Sequence, residues 1–156
     1  MDISIVVQPT LRAATVRHVG PYPEIGKAFA RLEASLDGMR LPGEPVAMVA
    51  IFHDNPLTTP AAELRSDAGI LVDTGVDIPP GVAETVIRGG SYLHGRHLGS
   101  YAGLPAAWAR LRDEGMRAHN VLRAEGPGYE LYVNNPGNAA IGDLITDLYI
   151  PVVPGH

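Results

Sequence analysis

Apolar positions along the chain change their spacing several times, and each change predicts a new element. Ile3 to Val7 and Ala13 to Val19 read as strands separated by a turn at Pro9. Gly20-Pro21-Tyr22-Pro23 then breaks the chain before a helix. Within it Ile25, Phe29, Leu32 and Leu36 recur at helical spacing and form one apolar stripe, and Gly38 stands where a helix-ending glycine belongs. Val46 to Phe52 and Asp67 to Val72 supply two more strands around the loop at Asn55-Pro56. The same order then returns: strands near 82–87 and 91–97 around Gly89-Gly90, a helix near 103–114, and strands near 128–133 and 146–152.

Individual residues recur with the pattern. Arg17-His18-Val19-Gly20-Pro21-Tyr22 reappears 79 positions later as Arg96-His97-Leu98-Gly99-Ser100-Tyr101. Phe29-Ala30-Arg31-Leu32 is answered by Trp108-Ala109-Arg110-Leu111, and Asn55-Pro56 by Asn135-Pro136. The chain is therefore read as a single domain over 1–156 built of two repeats, 2–76 and 81–153. The fold class is α+β: tandem duplicated strand–helix–strand–strand units with pseudo-twofold symmetry. They are expected to form one curved antiparallel sheet with two helices flanking a central groove, a favoured place for a small ligand.

Composition narrows the function. Twelve basic against seventeen acidic residues leave a net charge of −5, which speaks against direct nucleic-acid binding. Apolar residues at 46% and charged residues at 19% describe a globular chain rather than a disordered one. Without cysteine there is no disulfide, thiolate metal site or cysteine nucleophile. The longest apolar run is too short to span a membrane, and Met1-Asp2-Ile3-Ser4 lacks the features of a signal peptide. The expectation is a soluble, cytoplasmic protein with no membrane association.

Residues that serve the fold should recur in both copies, whereas functional ones need not. The recurring turn glycines read as backbone requirements, and Asp67 and Asp147 as local caps on backbone amides. Glu130 does not recur, because its counterpart is Ala50. Alternation in Tyr129-Glu130-Leu131-Tyr132-Val133 places Glu130 and Tyr132 on one face. A carboxylate in mid-strand is either ion-paired with an arginine, exposed at an edge, or a lone acid at the base of an aromatic-lined groove. In the last setting it attracts a cation or moves a proton. Trp108 lies on the apolar helix stripe, so core packing is its default, with its N–H available to a ligand. Tyr22 and Tyr101 follow the two turn glycines, where side chains lean over a cleft. No metal and no cofactor is expected: His94 and His97 point to opposite strand faces, His18 and His97 are equivalent, and His53-Asp54 lacks a third ligand. Ser91 and Ser100 lack a nucleophile-elbow context.

These features together resemble the GyrI-like small-molecule-binding family, the effector-binding domain of bacterial transcription activators. The resemblance is carried by Arg17 to Tyr22, Phe52-His53-Asp54-Asn55-Pro56, Thr59 to Asp67, Gly128 to Pro136, and Asp147 to Val152. Gly99-Ser100-Tyr101 departs from it, since the family usually has proline at the second position. The resemblance implies that the glutamate on the strand of Glu130 faces a ligand. It also implies three kinds of relative: ligand sensors of regulators, standalone proteins, and a gyrase inhibitor. Some standalone members hydrolyse cyclopropane-bearing genotoxic natural products with that glutamate and nearby aromatics. Because the domain fills the chain, the leading expectation is a standalone binding protein for small amphipathic or cationic aromatic compounds. Glu130 is then the charge partner, and Tyr22, Tyr101, Trp108 and Tyr132 are the walls. The alternatives are a hydrolase with Glu130 as the catalytic residue, and a modulator of a protein partner such as a topoisomerase or a regulator.

Overall fold

The computed structural model describes residues 1–36, 47–137 and 139–155. Gly38, read as the end of the first helix, and Val46, read as the start of a strand, lie outside the described residues. Nine strands are described: β1 (Ile3–Gln8), β2 (Leu11–Val19), β3 (Met48–Phe52), β4 (Arg65–Val72), β5 (Ala83–Ile87), β6 (Gly90–Leu98), β7 (Val121–Arg123), β8 (Gly128–Tyr132) and β9 (Ile145–Pro154). Helix α1 spans Gly26–Leu36 and α2 spans Leu104–Arg110. The fold is α+β, with antiparallel pairing throughout each unit described below. No helix among the described residues is long and apolar enough to cross a membrane.

The chain forms two compact units, Thr10–Arg88 and Met1–Pro9 together with Gly89–His156. In the first, the strand order is β3-β4-β2-β5, and α1 turns Ala28 and Leu32 into the core. Gly20 opens the turn before that helix with φ +133° and donates its N–H to Leu64 O at 2.8 Å. That backbone conformation belongs to glycine, as the recurrence of Gly20 and Gly99 requires. Tyr22–Glu24 then make one 3-10 turn that leads into α1.

The second unit has the order β1-β6-β9-β8, with β7 on the C-terminal half of β9. Helix α2 packs Leu104 and Ala107 against Leu93, Leu148, Ile150 and Val152. Its helical path runs past the expected end at 114, through a π turn at Leu111–Gly115 into a last turn at Met116–Ala118. The wider turn brings both Leu111 and Gly115 into the core. A Cβ on Gly115 would stand 2.9 Å from Leu93 Cδ2 and 3.1 Å from Ile3 Cγ2. The glycine is thus what lets this turn close onto β1 and β6.

The compact units do not start where the repeated sequence starts. The opening strand of the first copy, β1, pairs with β6, and the opening strand of the second, β5, pairs with β2. Each unit therefore holds the strand that the repeat alignment assigns to the other copy. Strand β7 was not expected at all, since three residues are too few to show a period of two.

Candidate functional site

Register sorts the residues of β8 between two faces. Tyr129 and Leu131 stand opposite Tyr149 and Asp147, while Glu130 and Tyr132 stand opposite Leu148 and Thr146. Leu148 belongs to the core under α2, so Glu130 and Tyr132 share the helix-covered face. Tyr129 is fully buried on the other face, stacked on Tyr149 at 4.6 Å, with its hydroxyl accepting from Gln8 Nε2 at 3.3 Å.

Glu130 is only 5% exposed. The indole N–H of Trp108 donates to its carboxylate. The other oxygen, Oε2, is buried and has no hydrogen-bond partner among the described residues. Burial pushes the carboxyl up and the Trp108 hydrogen bond pulls it partly back, leaving it at about 7. Of the three readings of a mid-strand glutamate, the structure thus holds neither the ion pair, among the described residues, nor the exposed edge.

The Trp108 ring lies over Gly128, where a Cβ would stand 3.5 Å and 3.6 Å from two of its carbons. Those are ordinary contact distances, so a Cβ would not displace the indole; the tight neighbour is the Tyr149 carbonyl oxygen at 3.1 Å, which is what the glycine accommodates.

Tyr101 and Tyr132 complete the group, their ring centroids 5.6 Å apart and 63° tilted. Burial raises the pKa of both phenols, and the Glu130 charge raises each further. Tyr101 is held by the turn Tyr101–Gly103, in which Ser100 Oγ accepts from Ala102 N at 3.1 Å. Ser100 has φ −55° and ψ 144°, close to the φ −54° and ψ 134° of Pro21. The serine therefore gives the turn the same backbone as proline, with a hydroxyl cap in place of the ring. Tyr101, Trp108 and Tyr132 are each partly exposed, whereas the Glu130 carboxyl among them is buried.

Tyr22 belongs to the Thr10–Arg88 unit. There its ring meets Phe52 at 4.8 Å, and its hydroxyl both donates to Asp54 O and accepts from Asp54 N. The structure brings together Glu130, Trp108, Tyr101 and Tyr132.

The two recurring aspartates correct the sequence reading. Among the described residues neither caps a backbone amide. Asp67 accepts from Arg17 Nε, His53 Nε2 and Thr85 Oγ1. Asp147 accepts from Arg96 at 2.9 and 3.1 Å and from His94 Nε2 at 3.0 Å. Burial works to raise both carboxyls, but these donors outweigh it and bring Asp147 down to about 2. His18 and His97 donate Nε2–H to the carbonyls of Pro21 and Ser100, three residues on. Among the described residues no three histidine, aspartate or glutamate side chains are grouped to hold a metal ion.

Comparison with known proteins agrees with this architecture. The family model of the GyrI-like small molecule binding domain matches residues 1–153. A protein of Yersinia enterocolitica named DNA gyrase inhibitor is 29% identical over 154 residues, covering 96% of each chain. Among solved structures, the EcmrR C-terminal domain superposes with a TM-score of 0.74 at 17% identity over 98% of both chains. SAV2435 bound to tetraphenylphosphonium superposes with a TM-score of 0.67 at 10% identity, covering 98% of this chain and 94% of that one.

Proposed function

The chain belongs to the GyrI-like small molecule binding domain family, and we propose that it binds a small amphipathic or aromatic cation at the Glu130 carboxyl. The observation that carries this reading is Oε2, buried and without a hydrogen-bond partner among the described residues. An ionised carboxylate in that position lacks a countercharge, and a protonated one lacks an acceptor for its O–H. A ligand cation supplies the missing charge in the first state. Proton and cation therefore compete for one site, close to neutral pH.

The rim selects the kind of cation. Tyr101, Trp108 and Tyr132 offer aromatic faces, and a cation over such a face gains about 0.5–2 kcal/mol. A delocalised charge carried on rings is cheaper to desolvate than an ammonium, so a lipophilic cation fits better than a hydrophilic one.

Tetraphenylphosphonium, the ligand in the SAV2435 structure, is the natural probe. Calorimetric titration of wild type and Glu130→Gln should show binding that weakens at least about tenfold in the variant. An uncharged analogue such as triphenylphosphine oxide should be affected little. Loss confined to the uncharged compound overturns the role assigned to Glu130.

A second reading follows from the carboxyl lying near 7, where a general base is most effective. In it Glu130 activates water against a strained, cyclopropane-bearing electrophile held by the same rings. Product formed by wild type and not by Glu130→Gln supports hydrolysis; binding without product leaves simple capture. The name of the Yersinia relative supports a protein partner as well, which a gyrase supercoiling assay with added protein tests directly.

A further inference from the structure

The Thr10–Arg88 unit gathers basic side chains around a surface depression. Strand β5 pairs with β2 only from Leu11 to Thr15, so the last residues of β2 run on beyond it. A depression of about 380 Å³ lies between this stretch and α1, lined by Arg17, His18, Val19, Glu24, Lys27 and Arg31, with Pro21 at its edge. Three of the chain's twelve basic side chains meet here, in a protein of net charge −5.

Not all of their capacity is spent. Arg17 uses Nε on Asp67, and its two Nη groups have no partner among the described residues. Arg31 gives one Nη to the Arg17 carbonyl at 2.9 Å, which also fixes where its guanidinium lies. Lys27 holds Glu24 at 3.0 Å in an exposed pair of the weak, salt-screened kind. His18 is committed, since its Nε2–H goes to Pro21 O and the residue is 7% exposed. Val19, 60% exposed, adds an apolar wall.

The other copy of the repeat shows that the fold does not demand this arrangement. Glu24 and Lys27 correspond to Gly103 and Ala106. Arg96, the counterpart of Arg17, is bidentate on Asp147, and Arg110, the counterpart of Arg31, pairs with Glu114. In that unit every equivalent cation is absent or matched by an acid.

We propose that the depression between the end of β2 and α1 binds a small organic anion bearing carboxylate or phosphate groups. Guanidinium N–H donors suit such oxyanions, Lys27 adds a point charge, and Glu24 occupies the lysine until the ligand displaces it.

The test uses citrate and pyrophosphate as probes, titrated at constant ionic strength and followed by amide NMR shifts. Saturable shifts around residues 17–31 are expected with at least one probe, and which one saturates identifies carboxylate or phosphate as the preferred group. Arg31→Gln should weaken binding about fivefold, while Arg110→Gln, the same charge change at the equivalent position, should leave it unchanged. Glu24→Gln should tighten it about two- to threefold by freeing Lys27. No saturation with either probe, or equal weakening by Arg31→Gln and Arg110→Gln, overturns the proposal.

Discussion

Replacing Glu130 by glutamine keeps the shape of the side chain and removes its proton equilibrium, which makes the energetic cost of this carboxyl measurable. In the folded chain it titrates at about 7, against an ordinary value of 4.5. Between these values the unfolded chain has released the proton and the folded chain still holds it. Stability therefore falls as pH rises through that window, by about 1.4 kcal/mol per pH unit. Over the whole window the loss is about 3 kcal/mol. The contribution is fully present below the unfolded pKa and gone once pH exceeds the folded one. Glutamine does not titrate, and every other ionisable group is common to both proteins, so the difference curve isolates Glu130. Any constant offset from the amide drops out of the comparison. For a chain of this length 1 kcal/mol moves Tm by about 2–4 °C. The lead of Glu130→Gln in Tm should thus widen by about 6–12 °C between about pH 4.5 and 7.5. Thermal unfolding followed by circular dichroism across that range reads it directly. Two Tm curves that stay parallel would refute the buried, unpaired state assigned to this carboxyl.

The same equilibrium governs ligand binding: affinity for tetraphenylphosphonium should rise with pH up to about 7 and then level off, measured by calorimetry in matched buffers. Trp108→Phe removes the N–H that holds the Glu130 pKa down, so the midpoint of that profile should move to higher pH and affinity at neutral pH should fall. Asp147→Asn should destabilise the fold by about 2 kcal/mol at neutral pH. Because the Asp147 pKa is depressed to about 2, the wild-type advantage should persist above the ordinary carboxylate range and vanish only in strong acid, as denaturant titration at several pH values will show. Gly115→Ala forces a Cβ against Leu93 and Ile3 and should cost about 1–3 kcal/mol, read by the same titration.

Much of this was legible because strands and amphipathic helices write their period into the sequence. The elements predicted near 91–97, 128–133 and 146–152 lie within a few residues of β6, β8 and β9. What period cannot show is which partner a polar side chain finds across a sheet. Asp67 and Asp147 read from the pattern as strand openers and local caps, yet each is the third residue of its strand and register sets it opposite Arg17 or Arg96. A usable signal was present, since both arginines and both aspartates recur between the copies. Trp108 poses the opposite problem. Its place on the apolar stripe conveys packing, and its bond to Glu130 joins a helix to a strand that are distant in the sequence. The π turn at Leu111–Gly115 left no mark in the pattern because one extra residue in a turn shifts the stripe without ending it.

Divergence between the copies separates chemistry from scaffold more sharply than any single motif does. The glycine turns with their histidine–carbonyl bonds, and the arginine–aspartate pairs across the sheet, occur in both units. Their recurrence marks them as what the fold needs. Where the copies part, each gains a charge that the fold does not use. One unit buries Glu130 where the other has Ala50, itself fully buried among apolar neighbours. The other unit gathers Glu24 and Lys27 beside Arg31 where its counterpart has Gly103 and Ala106. A buried acid lowers stability above pH 4.5, and a cationic depression in an acidic protein has no packing role. Neither feature is accounted for by folding alone, and a ligand of the opposite charge, as proposed for each, would offset its cost.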